Sequence, residues 1–183
     1  MGDITALLHG ARLGDSSALD QLFQRLYPEL RRIAHLRLRR GFADPDLGTT
    51  ALVNECYVKL RNGQHLEVAD QAHFFAYMAS AMRSIIVDIA RAKASDRRGA
   101  NAPHVTLDDD LAGSDAAAQD QILRVHEALE EMREFDARLA QLVEMRYFGG
   151  LSDPEIASAL DVTDRTVRRD WRKARVLLSL ALR

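Results

Sequence analysis

The stretch LSDPEIASALDVTDRTVRRDWRKARVLL, Leu151 to Leu178, decides how the rest of the chain is read. Ser152 is a natural helix cap, Pro154 suits a first turn, and Glu155 stands three residues after the serine, the reciprocal arrangement of a capping box. Ile156, Ala157 and Leu160 follow at helical spacing, so a helix opens here and runs to about Leu160. Asp161-Val162-Thr163 offers a turn residue and a second cap, after which Thr166, Val167, Trp171, Ala174 and Leu177-Leu178 resume the helical period. Two helices joined by a three-residue turn make a helix-turn-helix. Small Ala157 lets the helices approach. Asp161 takes the tight-turn position, where glycine is commoner, because aspartate visits left-handed backbone more readily than most residues. Arg165, Arg168, Arg169, Arg172 and Lys173 cluster towards the start of the second helix, the half that enters a major groove and reaches guanine edges or phosphates. A merely solvated basic face is the bland alternative, and the motif spacing argues against it.

Outward from this motif, the charge balance changes sign along the chain. The net charge of −2 argues against a uniformly basic surface, yet residues 163–183 hold 7 basic side chains against 2 acidic ones. Residues 100–121 hold none against 5, and residues 1–99 hold 14 against 11. Such asymmetry is what a local phosphate-binding surface leaves. With 183 residues, 47% hydrophobic and 28% charged, the composition is that of an ordinary globular protein, long enough for one large or two small domains. The longest uncharged run, Gln71 to Met82, is too short to span a bilayer, and no leader pattern opens the chain, so a cytoplasmic protein without a membrane partner is expected. A single cysteine, Cys56, excludes an internal disulfide framework and is expected to be a buried thiol.

Apolar spacings of three and four recur almost throughout and no alternating run suggests a strand, which predicts an all-α protein. A short helix is expected after Asp3, then a longer one after Asp15-Ser16, with Leu19, Leu22, Phe23, Leu26, Leu30 and Ile33 in one stripe and Pro28 as a possible bend. A third helix is expected from about Thr49 to Arg61, closed by Asn62-Gly63, and a fourth from near Asp70 to about Arg98. Residues 99–118 contain Gly99, Pro103, Gly113 and Asp108-Asp109-Asp110 with little helical periodicity, and read as a flexible acidic linker. Two further helices precede the opening motif. The expected organisation is therefore two small helical domains, 1–98 and 119–183, joined by residues 99–118.

Taken together, these residues resemble a compact sigma factor of the extracytoplasmic-function class over nearly the whole chain. The stretch Ala51-Leu52-Val53-Asn54-Glu55-Cys56-Tyr57-Val58-Lys59-Leu60 is similar to the helix with which that class grips the beta-prime clamp of core RNA polymerase. The resemblance implies polymerase contacts at Leu52, Asn54, Glu55, Tyr57 and Val58. Phe75-Ala76-Tyr77-Met78 through Arg83, Val87, Asp88 and Arg91 resembles the helix beside the melted minus-ten element, implying DNA contacts at Arg83, Ser84, Arg91 and Lys93. Residues 122–178 resemble the second domain, which binds the beta flap and reads the minus-thirty-five element. There the resemblance implies contacts at Arg165, Thr166, Arg168, Arg169, Arg172 and Lys173. A melted strand also needs surfaces on which bases can rest, and His73, Phe74, Phe75 and Tyr77 are candidates, with about two of them expected in the core.

Three departures from the family pattern matter. Asp170 replaces a usually basic position of the recognition helix, and Ser84 stands where asparagine is usual. The acidic patch that usually starts the clamp-binding helix is replaced by Gly48-Thr49-Thr50-Ala51, which removes charge that steers docking. This resembles the subgroup that lacks the acidic motif and depends on Ser/Thr phosphorylation. A phosphate at Thr50, or secondarily Thr49, would restore about −1.5 to −2 of charge where the helix dipole favours an anion, making a Ser/Thr protein kinase an implied partner. A plain capping role for one threonine is the competing reading.

Other function classes fare worse. The six histidines are scattered without metal-ligand spacing, and no nucleophile elbow, phosphate-cradling glycine loop or cofactor motif is present, so neither catalysis nor a cofactor is expected. A helix-turn-helix regulator that binds operator DNA independently of polymerase is the stronger rival. It would bind duplex alone, usually as a dimer.

Overall fold

The computed structural model describes residues 3–39, 48–62, 68–99 and 109–182. These form eight α-helices and no strand: α1 (Ile4–Arg12), α2 (Ser16–Arg39), α3 (Thr49–Asn62), α4 (Gln71–Gly99), α5 (Asp109–Phe135), α6 (Ala137–Tyr147), α7 (Asp153–Ala159) and α8 (Asp164–Ala181). The all-α reading holds.

Local chemistry accounts for most of the helix starts. Asp3 caps α1, and the Asp15 carboxylate accepts from the Ser17 and Ala18 amides at 2.9 and 3.2 Å to open α2. Gly14 between them adopts φ +86°, which only glycine does without strain. Gly10 permits a close α1–α2 approach, because a Cβ there would lie 2.8 Å from that of Ala18. Pro28 sits inside α2 on an exposed face, where a missing backbone hydrogen bond can be replaced by water.

The long helix α4 lies at the centre. It packs against α3 and α1 on one side and against α5, α6 and α7 on the other. Burial along it is accordingly dense: Phe74, Phe75, Met78, Met82, Ile85, Ile86 and Val87 are all in the core. Side chains such as Leu22, Leu30, Leu52, Phe74 and Met78 are nearly inaccessible, and each contributes roughly 1.5–3 kcal/mol through removal from water. Buried residues from Leu8 to Ala174 form one continuous cluster, so the two halves of the chain meet across α4. Cys56 is in this core, and burial pushes its thiol pKa up to about 12. It is an inert thiol at neutral pH.

The segment expected as a linker is helical in part. α5 begins at Asp109, so residues 109–118 belong to it, while 100–108, including Pro103 and Asp108, lie outside the described residues. The physical reason is propensity: carboxylates in a first turn suit the helix dipole, and the alanines Ala116-Ala117-Ala118 are the best helix formers. An apolar stripe is not needed for such a turn to form.

Candidate nucleic-acid interface

The quoted motif folds into two helices and a tight turn, each terminated by its own residues. At the start of α7 the Glu155 carboxylate accepts from the Ser152 amide at 2.7 Å and from the Ser152 hydroxyl at 2.5 Å. Ile156 and Ala157 turn into the core. At the far end Asp161 has φ 51°, the Val162 amide donates to the Ala157 carbonyl and the Asp161 amide to that of Ser158. This is a Schellman termination built on aspartate. Thr163 then caps α8, its hydroxyl oxygen accepting from the Thr166 amide at 3.2 Å.

α8 buries Val167, Asp170 and Ala174 and exposes Arg165, Arg168, Arg169, Arg172 and Lys173. Thr166 is half-buried beside Thr163. Asp170 points inward, accepting from Arg138 of α6 and from Arg169, each at 3.0 Å. The acidic residue at a usually basic position therefore anchors the helix. Lys173 donates to Asp136, the N-cap of α6, at 2.9 Å. That hydrogen bond, more than any other favourable contact, holds the Asp136 carboxyl below its ordinary range. Arg146 of α6 pairs with Asp153 of α7 and lies 4.8 Å over the Trp171 ring of α8. Sequence reasoning missed Arg138, Arg146 and Asp136 as fasteners of the recognition helix, because each partner is remote in the chain.

In the other half, α3 begins bare. The Gly48 carbonyl accepts from the Leu52 amide, and no acidic residue occupies the first turn. Thr50 is exposed and Thr49 half-buried. Asn54, Glu55 and Val58 share an exposed face with Ala51, and Val58 is 48% exposed despite being apolar. Tyr57 is half-buried, its ring tilted against Phe23 with centroids 4.6 Å apart, and its hydroxyl donates to the Asp20 carboxylate, which raises the phenol's pKa. A groove of about 420 Å³ lies alongside, lined by Asp20, Phe23, Gln24, Tyr27, Asn54 and Tyr57. Leu52, also among the expected polymerase contacts, is 0% exposed and holds α3 to the core.

On α4 the expected strand-facing residues have different surroundings. Ser84 accepts from Lys59 at 2.7 Å, and Lys59 also reaches Asp88. Arg91 is exposed and Lys93 half-buried. Arg83 is only 4% exposed and its guanidinium is bound by carboxylates from α5 and α6. Of the four aromatic-surface candidates, Phe74 and Phe75 are buried, while His73 and Tyr77 stay half-buried. His73 is tied to Asp70, which accepts from both its amide and its ring.

A family model described as ECF sigma factor matches residues 1–183. The chain belongs to the ECF sigma factor family. Neither curated proteins nor solved structures yield a match. As a member of this family, the sigma factor works with core RNA polymerase and promoter DNA in promoter-specific transcription initiation, a regulatory role rather than an enzymatic one. Among the described residues, no helix is long and apolar enough to cross a membrane.

Proposed function

We propose that this sigma factor docks on the polymerase clamp through the exposed face of α3 and is switched on by phosphorylation of Thr50. The observation that carries the proposal is an exposed hydroxyl in the first turn of α3, a turn with no acidic residue. Backbone N–H groups of a first turn have no partner within the helix, and the dipole adds positive potential there. A phosphate on Thr50 meets both and supplies charge for clamp docking. Thr49 is the poorer acceptor because it is half-buried.

In the same reading, residues 1–98 act as the clamp-binding and minus-ten unit, with Asn54, Glu55, Tyr57 and Val58 towards polymerase and Arg83, Ser84, Arg91 and Lys93 towards the melted strand. Residues 119–183 act as the minus-thirty-five unit. Its α8 presents Arg165, Thr166, Arg168, Arg169, Arg172 and Lys173 to the major groove, where forked guanidiniums suit guanine edges and phosphates. A Ser/Thr kinase completes the set of partners.

The test is reconstituted transcription with purified core polymerase. Untreated wild type should be weak, kinase-treated wild type active, and Thr50→Ala unresponsive to the kinase. Full activity of untreated wild type and Thr50→Ala alike would overturn the proposal. Mass spectrometry of the treated protein locates the phosphate, and modification confined to Thr49 would reassign the switch.

A further inference from the structure

We infer that the C-terminal unit masks Arg83 on the DNA-facing side of α4 in the free protein, its carboxylates occupying the guanidinium where a strand phosphate would otherwise bind. The inference rests on the family assignment and on the placing of Arg83 and Arg91 beside the melted strand. It does not require phosphorylation at Thr50.

The contact runs along α4 from Asp70 to Arg91, roughly 30 Å at the helical rise. At one end the Ser158 hydroxyl of α7 reaches the Asp70 carboxylate at 3.5 Å. In the middle, the turn after α6 comes so near that a Cβ on Gly149 would lie 2.8 Å from that of Ala79. Beyond it, one Arg83 nitrogen donates to Glu144 at 3.1 Å and the other to Glu130 at 2.5 Å. The second Glu144 oxygen accepts from Arg133 at 3.1 Å. At the far end His126 of α5 sits between guanidiniums, 2.5 Å from Arg83 and 2.9 Å from Arg91. A neutral imidazole accepts at one nitrogen only, so one of these contacts is a hydrogen bond. Burial, then the two arginines, hold the imidazole pKa below its ordinary value.

Two features point to a releasable contact. Arg83 and Glu144 are both buried, but the Arg83 Nε has no hydrogen-bond partner. A buried ion pair with an unmet donor is poor cement, since desolvation offsets much of its attraction. Moreover, a guanidinium binds carboxylate and phosphate with the same forked geometry. Arg83 can therefore exchange Glu130 and Glu144 for a DNA phosphate with little net loss. Opening exposes Arg83, which α5 and α6 cover, and frees the already exposed Arg91 from its contact with His126.

The experiment uses the full-length free protein, without kinase or polymerase. Glu130→Gln with Glu144→Gln removes both carboxylates while keeping shape. It should raise the radius of gyration in small-angle scattering, and it should strengthen binding of a fluorescent single-stranded DNA about tenfold, within the usual span of coupling between sites. An unchanged radius with unchanged DNA affinity would overturn the inference, as would a larger radius without tighter DNA binding. Should the double variant lose helicity by circular dichroism, charge reversal decides. Glu144→Arg should open the protein and Arg83→Glu added to it should close it again, and a pair that stays open refutes the contact. Failure of the Thr50 switch would leave every one of these readouts unmoved.

Discussion

Helices α3 and α8 both carry an exposed polar face that our proposal gives to a partner, yet they begin in opposite ways. α8 is complete in its own sequence: Thr163 caps it, Asp164 answers its dipole, and Asp161 terminates the helix before it. α3 starts at Gly48-Thr49-Thr50 with no acidic residue in its first turn. The difference teaches where control can act. A terminus already supplied with cap and charge holds its shape under all conditions, whereas a terminus short of charge is one that a modification can set. DNA reading by α8 is thus constitutive in our proposal, and polymerase docking by α3 is conditional.

The sharpest way to break this comparison is to separate the faces of α3. Leu52→Ala should cost about 2–5 kcal/mol of stability, as buried leucine truncations do, in chemical denaturation. Val58→Ala should leave stability within about 0.5 kcal/mol and weaken capture of core polymerase instead. If Val58→Ala destabilised as strongly as Leu52→Ala, the exposed docking face would not exist.

On α8, Arg168→Ala should weaken promoter duplex binding by about 1–3 kcal/mol if it reads a base edge. If it meets a phosphate, the salt dependence should flatten by about one ion instead. Salt titration of duplex binding tells the two apart, and no change in either would remove Arg168 from the interface.

The helix starts give a smaller contrast. Thr163→Ala should cost about 1 kcal/mol through the lost cap, measured by thermal or denaturant unfolding. Thr49→Ala should stay within about 0.5 kcal/mol. Equal losses at the two sites would erase the difference between the termini.

The smallest effect is in pH. Asp136 is held below its ordinary pKa, chiefly by the Lys173 hydrogen bond. A depressed carboxyl contributes stability above the unfolded pKa and loses it as pH falls through the folded value. Acid below about pH 4 should therefore loosen the α6–α8 packing, and Lys173→Met should blunt that part of the acid transition. An identical acid profile for the variant would deny the pair its role.

Much of this was legible because it is local. Ser152, Glu155, Asp161 and Thr163 act on neighbours within five residues, so spacing alone revealed both helices and the turn. The aromatic stripe at core spacing implied that about two of its four members are buried, and the structure shows that these are Phe74 and Phe75. Residues 109–118 lack an apolar period and so read as linker, yet they are helical in α5, where alanine propensity and the dipole preference of first-turn aspartates suffice. Leu52 belonged to a motif shared with contact residues, and only packing shows which face of α3 it occupies.

What the sequence by itself determined is the helical class, the two-helix motif with its basic face, and the bare start of α3, all of which depend on chemistry within a turn or two. What only the tertiary structure decided is the state of the charges between elements. Asp170 became an anchor through Arg138, 32 residues away, and Arg83 became a buried residue through Glu130 and Glu144, 47 and 61 residues away. Electrostatic pairing depends on distance in space and on the water excluded around it, and neither is written in sequence order.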